Sequence, residues 1–570
     1  MMTTLTTQEH GAVRGQDRLS RPGWSVAGIA VAACLLNFLW LSFDRTPPHY
    51  DAANHLLSAL NYRELLASVI SGTAGTPLEI LKRMVHIDAM VYPPLFPLTA
   101  GLISPTLSLR SLVMVNSLFL VILVVSTYQI GRRVHSELAG VLGAALIAAY
   151  PMVTHLERDF MVDFALLAMT ALSGALILAS HDFRSPRETF LFGVSTGLGL
   201  LAKPTYASFI AVPACYTLIR AALRAADPTE RPAQVRGLLF LAAGLTIGAG
   251  LASLWYIPNF DGVRSETLRI AASNPIGFDV FDANALVYYL NILMIDQIGL
   301  PFMALFIYGL IVLRRHVAPA YFGFLLSWVL GIYVIATLAP YKGTGQDIGI
   351  FIPVSVISAV GLAGLTRFRA AVCTAVLVFA AAQTVVMSVP YPVLGARIGT
   401  FRWAGSYQHF PAPDDWQIET ALMSLGTRPL TVGTVSDYMY LNGITLQYYV
   451  RKARLPFRVI GRYGATVNEL LDADVIMAKS DWSLATSTAT TRGRSLEGVS
   501  TDSLGVMYTR GQLVTERPDE PLTNRLSQRD RELQDVTDAS LRSRHPYVQA
   551  FPLPDGSQLL VYSKRPFEEL

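Results

Sequence analysis

The sequence predicts a polytopic α-helical membrane protein of about eleven transmembrane helices with a C-terminal extracytoplasmic α/β domain. Two observations lead to this fold class. Of the 570 residues, 52% are hydrophobic and 15% are charged, and the mean hydropathy is +0.41, which is too apolar for a soluble protein. The apolar residues also fall into runs of roughly 20 residues, the length that a helix needs to cross a bilayer.

The first apolar run, residues 24–43, predicts a spanning helix. Residues 1–23 are expected to be a cytoplasmic segment, because the arginines before the run outnumber the acids that oppose them. A cleaved signal peptide is the competing interpretation, but the run exceeds the apolar part of a signal peptide and no small-residue cleavage pattern follows it. The first outer loop, residues 44–105, is therefore expected on the extracytoplasmic side.

Residues 24–390 are predicted to form the transmembrane domain. Every inferred inner loop carries arginine, so the alternation of sides is consistent. In the first outer loop, residues 54–70 place leucines on one side of a helix, which predicts a segment lying along the membrane surface. The later predicted spans are 111–130, 137–151, 162–180, 189–202, 207–222, 237–257, 298–313, 318–338, one that ends at Arg367, and 370–389.

Residues 391–570 have the composition of a soluble domain and are predicted to form the extracytoplasmic α/β domain. The sequence Asp555-Gly556 between two apolar stretches is a hairpin signal. Residues 519–544 are polar and are expected on the surface of the domain. The predicted strands are 428–435, 457–460, 473–478, 548–553 and 558–562, and the predicted helix is 438–454.

The charge and the cysteines exclude some classes of protein. The net charge is +4, but the basic residues cluster in short loops between apolar runs, where they report topology, and we expect no nucleic-acid partner. Cys34, Cys215 and Cys373 all lie inside apolar runs. This placement argues against a disulfide framework or a zinc site.

Asp51 is the first candidate for chemistry. It lies in the stretch PPHYDAANH just after the first span, flanked by Tyr50 and followed by His55. A carboxylate at the end of a membrane helix is costly unless it has a function or a partner. The structural alternative is an N-cap of the next helix, which an aspartate serves well and which does not exclude catalysis.

A second group of charges opens the fourth span. Asp159 and Asp163 are four residues apart and therefore share a helix face, with Arg158 alongside. A structural salt bridge to Arg158 is the alternative to a catalytic role. A divalent cation shared between Asp51 and one of these acids also stays open, although few oxygen ligands support it.

Lys203 and Lys342 each follow an apolar span at its outer end. Each lysine is a candidate to hold an anionic lipid head group, and snorkelling to the interface is the alternative. Tyr92 begins the segment YPPL before the second span, whose prolines predict a rigid turn. Weaker basic candidates, of a kind that exposed loops normally carry, are Arg63, Lys82, Arg83 and Arg269.

Taken in order, these motifs resemble the membrane glycosyltransferases of the GT-C class. They are YDAANHL after the first span, YPPL before the second, Arg158 with Asp163 opening the fourth, a lysine-proline after the fifth and a lysine-containing outer loop before the tenth. The branch that they resemble is that of aminoarabinose transferase and protein O-mannosyltransferase. The resemblance covers about residues 24–390, and such enzymes often carry a C-terminal extracytoplasmic domain.

The resemblance implies transfer of a sugar from a polyprenyl-phosphate-linked donor to a lipid, glycan or protein acceptor on the extracytoplasmic face, with inversion. Asp51 is expected as the general base and Asp159 or Asp163 as a second acid. No cofactor is implied with certainty, and a divalent cation stays open. The residues expected to bind substrate are Tyr50, His55, Tyr92, Arg158, Lys203 and Lys342.

The sequence departs from the family pattern at two places. The acid pair that often follows the first-loop aspartate is missing, since Ala52 follows Asp51. The arginine-tyrosine usual near the tenth span is absent, and Asp347 occupies that region. These departures leave the donor and its phosphate contacts open.

The main alternative from another class is a membrane transporter or lipid flippase. Against it, the charges gather at the outer helix ends, not at the midplane, and no inverted repeats are apparent. A receptor-like protein that binds a partner through its α/β domain is a further alternative, but it leaves the acids unexplained.

Overall fold

The chain is described by a computed structural model, which covers residues 21–86, 92–106, 108–272, 283–339, 342–343, 345–388, 411–436, 438–461, 466–480 and 536–570. Up to residue 388 these residues are almost entirely helical. The helices are α1 (Arg21–Phe43), α2 (Tyr50–Ile70), α3 (Pro77–Val85), α4 (Leu95–Ile103), α5 (Leu109–Val113), α6 (Asn116–Val134), α7 (Glu137–Ala149), α8 (Pro151–Arg158), α9 (Val162–Ala179), α10 (Pro186–Ala202), α11 (Tyr206–Ala225), α12 (Arg231–Tyr256), α13 (Phe260–Ala272), α14 (Ala283–Asn291), α15 (Leu300–His316), α16 (Pro319–Leu338), α17 (Phe351–Ala363) and α18 (Arg369–Val386).

The predicted fold class, a multi-pass helical membrane protein, is confirmed. Among the described residues, seven helices are long and apolar enough to cross a bilayer, and an eighth is added if α7 and α8, bent by 61°, count as one span. Each of the eleven predicted spans coincides with a helix, but several of these helices have only 13 to 17 residues. The number eleven therefore stays a prediction.

The centre of the membrane part is α9, which is apolar on all sides and almost completely buried. Next to it, α10 and α12 approach unusually closely because glycines line their interface. A Cβ added to Gly193 or Gly197 would lie about 2.2–2.5 Å from the backbone of Gly244 or Gly248. Only residues without a Cβ permit this packing, and it fixes the end of α10, where Lys203 follows.

The connection between α1 and α6 contains four helices, of which α2 is long and α3 to α5 are short. The helix α2 packs between α4 and a helix of the C-terminal region, Gly443–Lys452, and most of its first four turns are buried. That residues 54–70 lie along the membrane surface stays a prediction. The helix α3 has an exposed amphipathic face. A capping box between Thr76 and Glu79 begins α3.

The C-terminal region forms one five-stranded sheet with strands β1 (Leu430–Thr434), β2 (Phe457–Ile460), β3 (Val475–Lys479), β4 (Tyr547–Pro552) and β5 (Gln558–Ser563). Their order is β2-β1-β3-β5-β4, in which the first three are parallel and the others antiparallel. The predicted strands and the hairpin at Asp555-Gly556 agree with this sheet, with Gly556 at φ +81°. Most of the predicted polar segment 519–544 lies outside the described residues.

The C-terminal region contacts the loop between α1 and α2 at both ends of that loop. Asp44 accepts a hydrogen bond from the backbone N–H of Ala412 at 3.0 Å, and the N–H of Arg45 donates to the carbonyl of Ala412 at 2.8 Å. Thr445 Oγ1 donates to the carbonyl of Pro48 at 3.1 Å. These contacts fix the short segment that leads into Asp51.

Candidate active site

A hydrogen bond joins the end of the α1–α2 loop to the segment between α8 and α9. His49 Nε2 lies 2.8 Å from Asp159 Oδ2, and both side chains are about one-fifth exposed. Asp159 follows α8, and its backbone carbonyl accepts a hydrogen bond at 2.8 Å from Asn116 Nδ2, which also binds the carbonyl of Glu157. Neither His49 nor Asn116 is among the predicted site residues.

An ion pair between Lys203 and Asp163 links α9 to the end of α10. Lys203 Nζ donates to Asp163 Oδ1 at 2.8 Å, with exposed fractions of 18% and 8% for the two side chains. Asp163 lies in the first turn of α9, and α10 ends at Ala202, so Pro204 prevents the helix from continuing past Lys203. Two of the predicted acids therefore each bind a basic side chain.

Asp51 lies in the first turn of α2, and the helix is preceded by His49, so the alternative interpretation of Asp51 as the N-cap is wrong. Its carboxylate has no ion pair or hydrogen bond among the residues that the structure describes. Burial raises the pKa of Asp51 from the usual value of an aspartate, His49 and Lys203 oppose this shift, and Asp159 and Asp163 add to it. We call Asp51, Asp159, Asp163, His49 and Lys203 the acid cluster.

Three of the predicted substrate residues lie in the same region. His55, one turn after Asp51, meets the ring of Tyr92 edge to face with 4.8 Å between ring centroids. His55 is buried, its Nε2 has no hydrogen-bond partner in the described part of the chain, and burial lowers its pKa to about 4. It is therefore a neutral imidazole at pH 7. Tyr50 begins α2 beside the cluster.

The comparisons with known proteins bear on this arrangement. Residues 92–247 match the family described as dolichyl-phosphate-mannose-protein mannosyltransferase. Among solved structures, ArnT from Cupriavidus metallidurans, bound to undecaprenyl phosphate, aligns with 82% of this chain and 95% of its own at 15% identity and a TM-score of 0.52. Its apo form aligns similarly, with a TM-score of 0.50. The chain has the GT-C fold.

The predicted resemblance to the aminoarabinose transferase and protein mannosyltransferase branch of GT-C glycosyltransferases is thereby confirmed. The oligosaccharyltransferase AglB from Archaeoglobus fulgidus, in complex with an inhibitory peptide and a dolichol-phosphate, aligns with 95% of this chain and 74% of its own at 11% identity and a TM-score of 0.47. No curated protein sequence matches the chain at a significant level.

Arg158 was predicted to bind substrate, but its side chain contacts the ends of α1 and α18. Its Nη1 donates to the carbonyl of Met387 at 2.7 Å, its Nη2 donates to Ser388 Oγ, and its guanidinium lies 5.3 Å from the ring centroid of Trp40. The side chain is buried. Arg158 therefore ties α8 to the ends of α1 and α18, and it does not neutralise Asp159 or Asp163.

Lys342 is also separated from the cluster by its contacts. It is buried, and its ammonium group donates to the carbonyls of Ala336, Thr337 and Ala339 at the C-terminal end of α16, with 3.1 Å to Ala336 and 2.6 Å to Ala339. Three carbonyls satisfy the three donors of a lysine. Lys342 therefore caps the C-terminal end of α16.

The loop that follows Lys342 continues to Asp347. A Cβ at Gly345 would lie 3.2 Å from Asp163 Oδ1, so this loop packs against the acid cluster. Asp347 accepts a hydrogen bond from Gln297 Nε2 at 2.8 Å, while its other oxygen has no partner among the described residues. Burial raises its pKa to about 7. We call residues 339–347 the α16–α17 loop.

In the described part of the chain, no three histidine, cysteine, aspartate or glutamate side chains are grouped closely enough to hold a metal ion. The divalent cation that the sequence left open therefore has no set of ligands among these residues.

Proposed function

We propose that this protein transfers a sugar from a polyprenyl-phosphate-linked donor to a hydroxyl-bearing acceptor at the extracytoplasmic face of a cell membrane. The observation that carries the proposal is the contrast within the acid cluster: Asp159 and Asp163 each bind a basic side chain, whereas Asp51 beside them binds none among the described residues. The family match over residues 92–247 and the ArnT structure bound to undecaprenyl phosphate support the class of donor.

Asp51 is the proposed general base. Its half-buried carboxylate lies at the start of α2, where burial and, to a smaller extent, the neighbouring carboxylates raise its pKa. A raised pKa makes a carboxylate a stronger base. The acceptor hydroxyl gives its proton to Asp51 while its oxygen attacks the anomeric carbon of the sugar. The bond from that carbon to the phosphate oxygen breaks, and polyprenyl phosphate leaves with the electron pair.

A single displacement of this kind inverts the anomeric carbon. The phosphate leaving group needs little acid catalysis when a cation stabilises its charge. Lys203 is the proposed cation, because it uses one of its three donors on Asp163 and is fixed at the end of α10. Asp163 orients Lys203, and Asp159 orients His49 at the entrance to α2.

We propose His55, Tyr50 and Tyr92 as substrate contacts. The unpartnered Nε2 of the neutral His55 can bind a sugar hydroxyl, and the Tyr92 ring against it supplies an apolar wall. Lys342 is left out of this set because three backbone carbonyls occupy its donors. Arg158 is left out because its two terminal nitrogens bind the carbonyl of Met387 and Ser388.

The test is transfer of a labelled sugar from polyprenyl-phosphate donors to acceptor lipids, glycans and peptides by the purified full-length chain in detergent. We expect release of polyprenyl phosphate in proportion to the sugar transferred. A chain reconstituted in vesicles that moves the intact donor across the bilayer, and releases no polyprenyl phosphate with any acceptor, would be a transporter and would contradict the proposal.

A further inference from the structure

A cavity of about 430 Å³ lies between α2 and α3, apart from the acid cluster. It is lined by Asn61, Glu64 and Leu65 of α2 and by basic residues at the end of α3, which are Lys82, Arg83 and His86. The α2 residues of this lining follow Asp51 by 10 to 14 positions, so the cavity lies about 15 to 21 Å along the helix from that carboxylate. A group bound here does not reach the reacting atoms.

The cavity carries positive charge. Its one acid, Glu64, is bound by Arg451 of the C-terminal region, with 2.7 Å from Nη2 to Oε2, and Arg451 also donates to Asn61 at 3.0 Å. Lys82 and Arg83 have no ion pair within the described residues. Because Arg451 already neutralises Glu64, Lys82 and Arg83 give the cavity its net positive charge.

Apolar side chains flank these cations. On α3, Leu78 is 60% exposed and Leu81 is 37% exposed, and Ile70 at the end of α2 is 78% exposed. A short helix with basic and exposed apolar side chains is typical of the interface of a bilayer, where the apolar side contacts acyl chains and the cations reach the phosphates. The end of α3 is fixed at this level, because Tyr62 and Asn259 bind the carbonyls of its last residues, Met84 and Val85.

We propose that this cavity binds the phosphate head group of an anionic phospholipid from the adjoining leaflet. Positive charge alone would accept any anion, but the exposed leucines beside it match a ligand that also has acyl chains. The simpler interpretation, that Lys82 and Arg83 only interact with the dipole of α3, predicts an effect on helix stability and no selectivity among lipids. The proposal does not depend on the reaction that the acid cluster performs.

The test measures binding of a fluorescent phosphatidylglycerol tracer to the full-length chain in phosphatidylcholine micelles. The double substitution Lys82→Gln with Arg83→Gln should weaken tracer binding roughly thirty-fold, from about 1 kcal/mol for each cation near an anionic lipid. The matched control is Arg110→Gln, an exposed arginine before α6, which should leave binding unchanged. Unchanged tracer affinity in the double variant overturns the proposal.

Two further measurements keep the test decisive. Glu64→Gln removes the negative charge but leaves Asn61 to hold Arg451, so it should strengthen tracer binding several-fold even if the double variant does not fold. Equal affinity of Glu64→Gln and the unsubstituted chain would contradict the charge argument. Displacement of the tracer by millimolar inorganic phosphate would show a site for free anions and overturn the lipid assignment.

Discussion

The acid cluster and the α16–α17 loop each place a lysine and a carboxyl group at the end of a membrane helix, but the partners of these groups differ. In the cluster, Lys203 binds the carboxylate of Asp163 and stays partly exposed. In the loop, Lys342 is buried against backbone carbonyls and Asp347 against an amide. A lysine held by a carboxylate keeps donors for a ligand, whereas one that caps a helix has none left.

The largest expected effect comes from the cluster. Asp51→Asn keeps the shape of the side chain but cannot accept a proton, so turnover should fall by roughly 10² to 10⁴-fold while the melting temperature stays near that of the original chain. The measurement is sugar transfer from the lipid donor by purified protein. Near-normal transfer would remove Asp51 from the mechanism and leave Asp159 or Asp163 as the base.

Lys203→Met tests whether Lys203, and not Lys342, binds the phosphate of the donor. Loss of a charge-assisted hydrogen bond of about 1.5 to 3 kcal/mol should weaken affinity for the polyprenyl-phosphate donor by roughly 10 to 100-fold. Binding of a labelled donor to the folded variant is the measurement, and Lys342→Met serves as the matched lysine control. Equal affinities in both variants would mean that Lys203 does not hold the phosphate.

Lys342→Met should act on stability and not on the donor. The substitution leaves three carbonyls at the end of α16 without their donor, which should lower the free energy of unfolding by about 1 to 3 kcal/mol. Thermal unfolding in detergent measures this loss. A variant of unchanged melting temperature with weakened donor binding would reverse the roles assigned to the two lysines.

Asp347→Asn tests the same loop through pH. The pKa of Asp347 is about 7 in the folded chain and lies near the usual value of about 4 when unfolded, so the folded state holds an extra proton between these values. Its contribution to stability is present below pH 4 and is lost as the pH rises to 7. The asparagine variant should lack this decline, as melting curves between pH 5 and 8 would show; a parallel decline in both proteins would contradict the assignment.

The smallest effect is expected where the C-terminal region meets the cluster. Thr445→Val keeps the volume and removes the hydrogen bond to Pro48, which is worth about 0.5 to 1.5 kcal/mol. Turnover should fall a few-fold with little change in KM, because the segment leading to Asp51 loses one of its supports. A variant with unchanged turnover would show that the other contacts of the loop suffice.

Much of the helical fold could be predicted, because apolar runs report helices directly. Asp51, Asp163 and Lys203, which the structure brings into electrostatic contact, could be proposed from the sequence because each charge follows or opens an apolar run. The roles of Arg158 and Lys342 could not be predicted, because their partners are set by packing; Ser388 lies 230 positions from Arg158. Asn116 was missed because a lone amide at the start of a span gives no signal, whereas His49 lay within the PPHYDAANH stretch.

The contact between Thr445 and Pro48 joins positions 397 residues apart, and that between Asp44 and Ala412 joins positions 368 apart. During synthesis the loop before Asp51 leaves the ribosome early, while the segments that hold it are made several hundred residues later. The segment before Asp51 therefore acquires both supports only after translation has passed Thr445. A chain that ends before Ala412 lacks both of them.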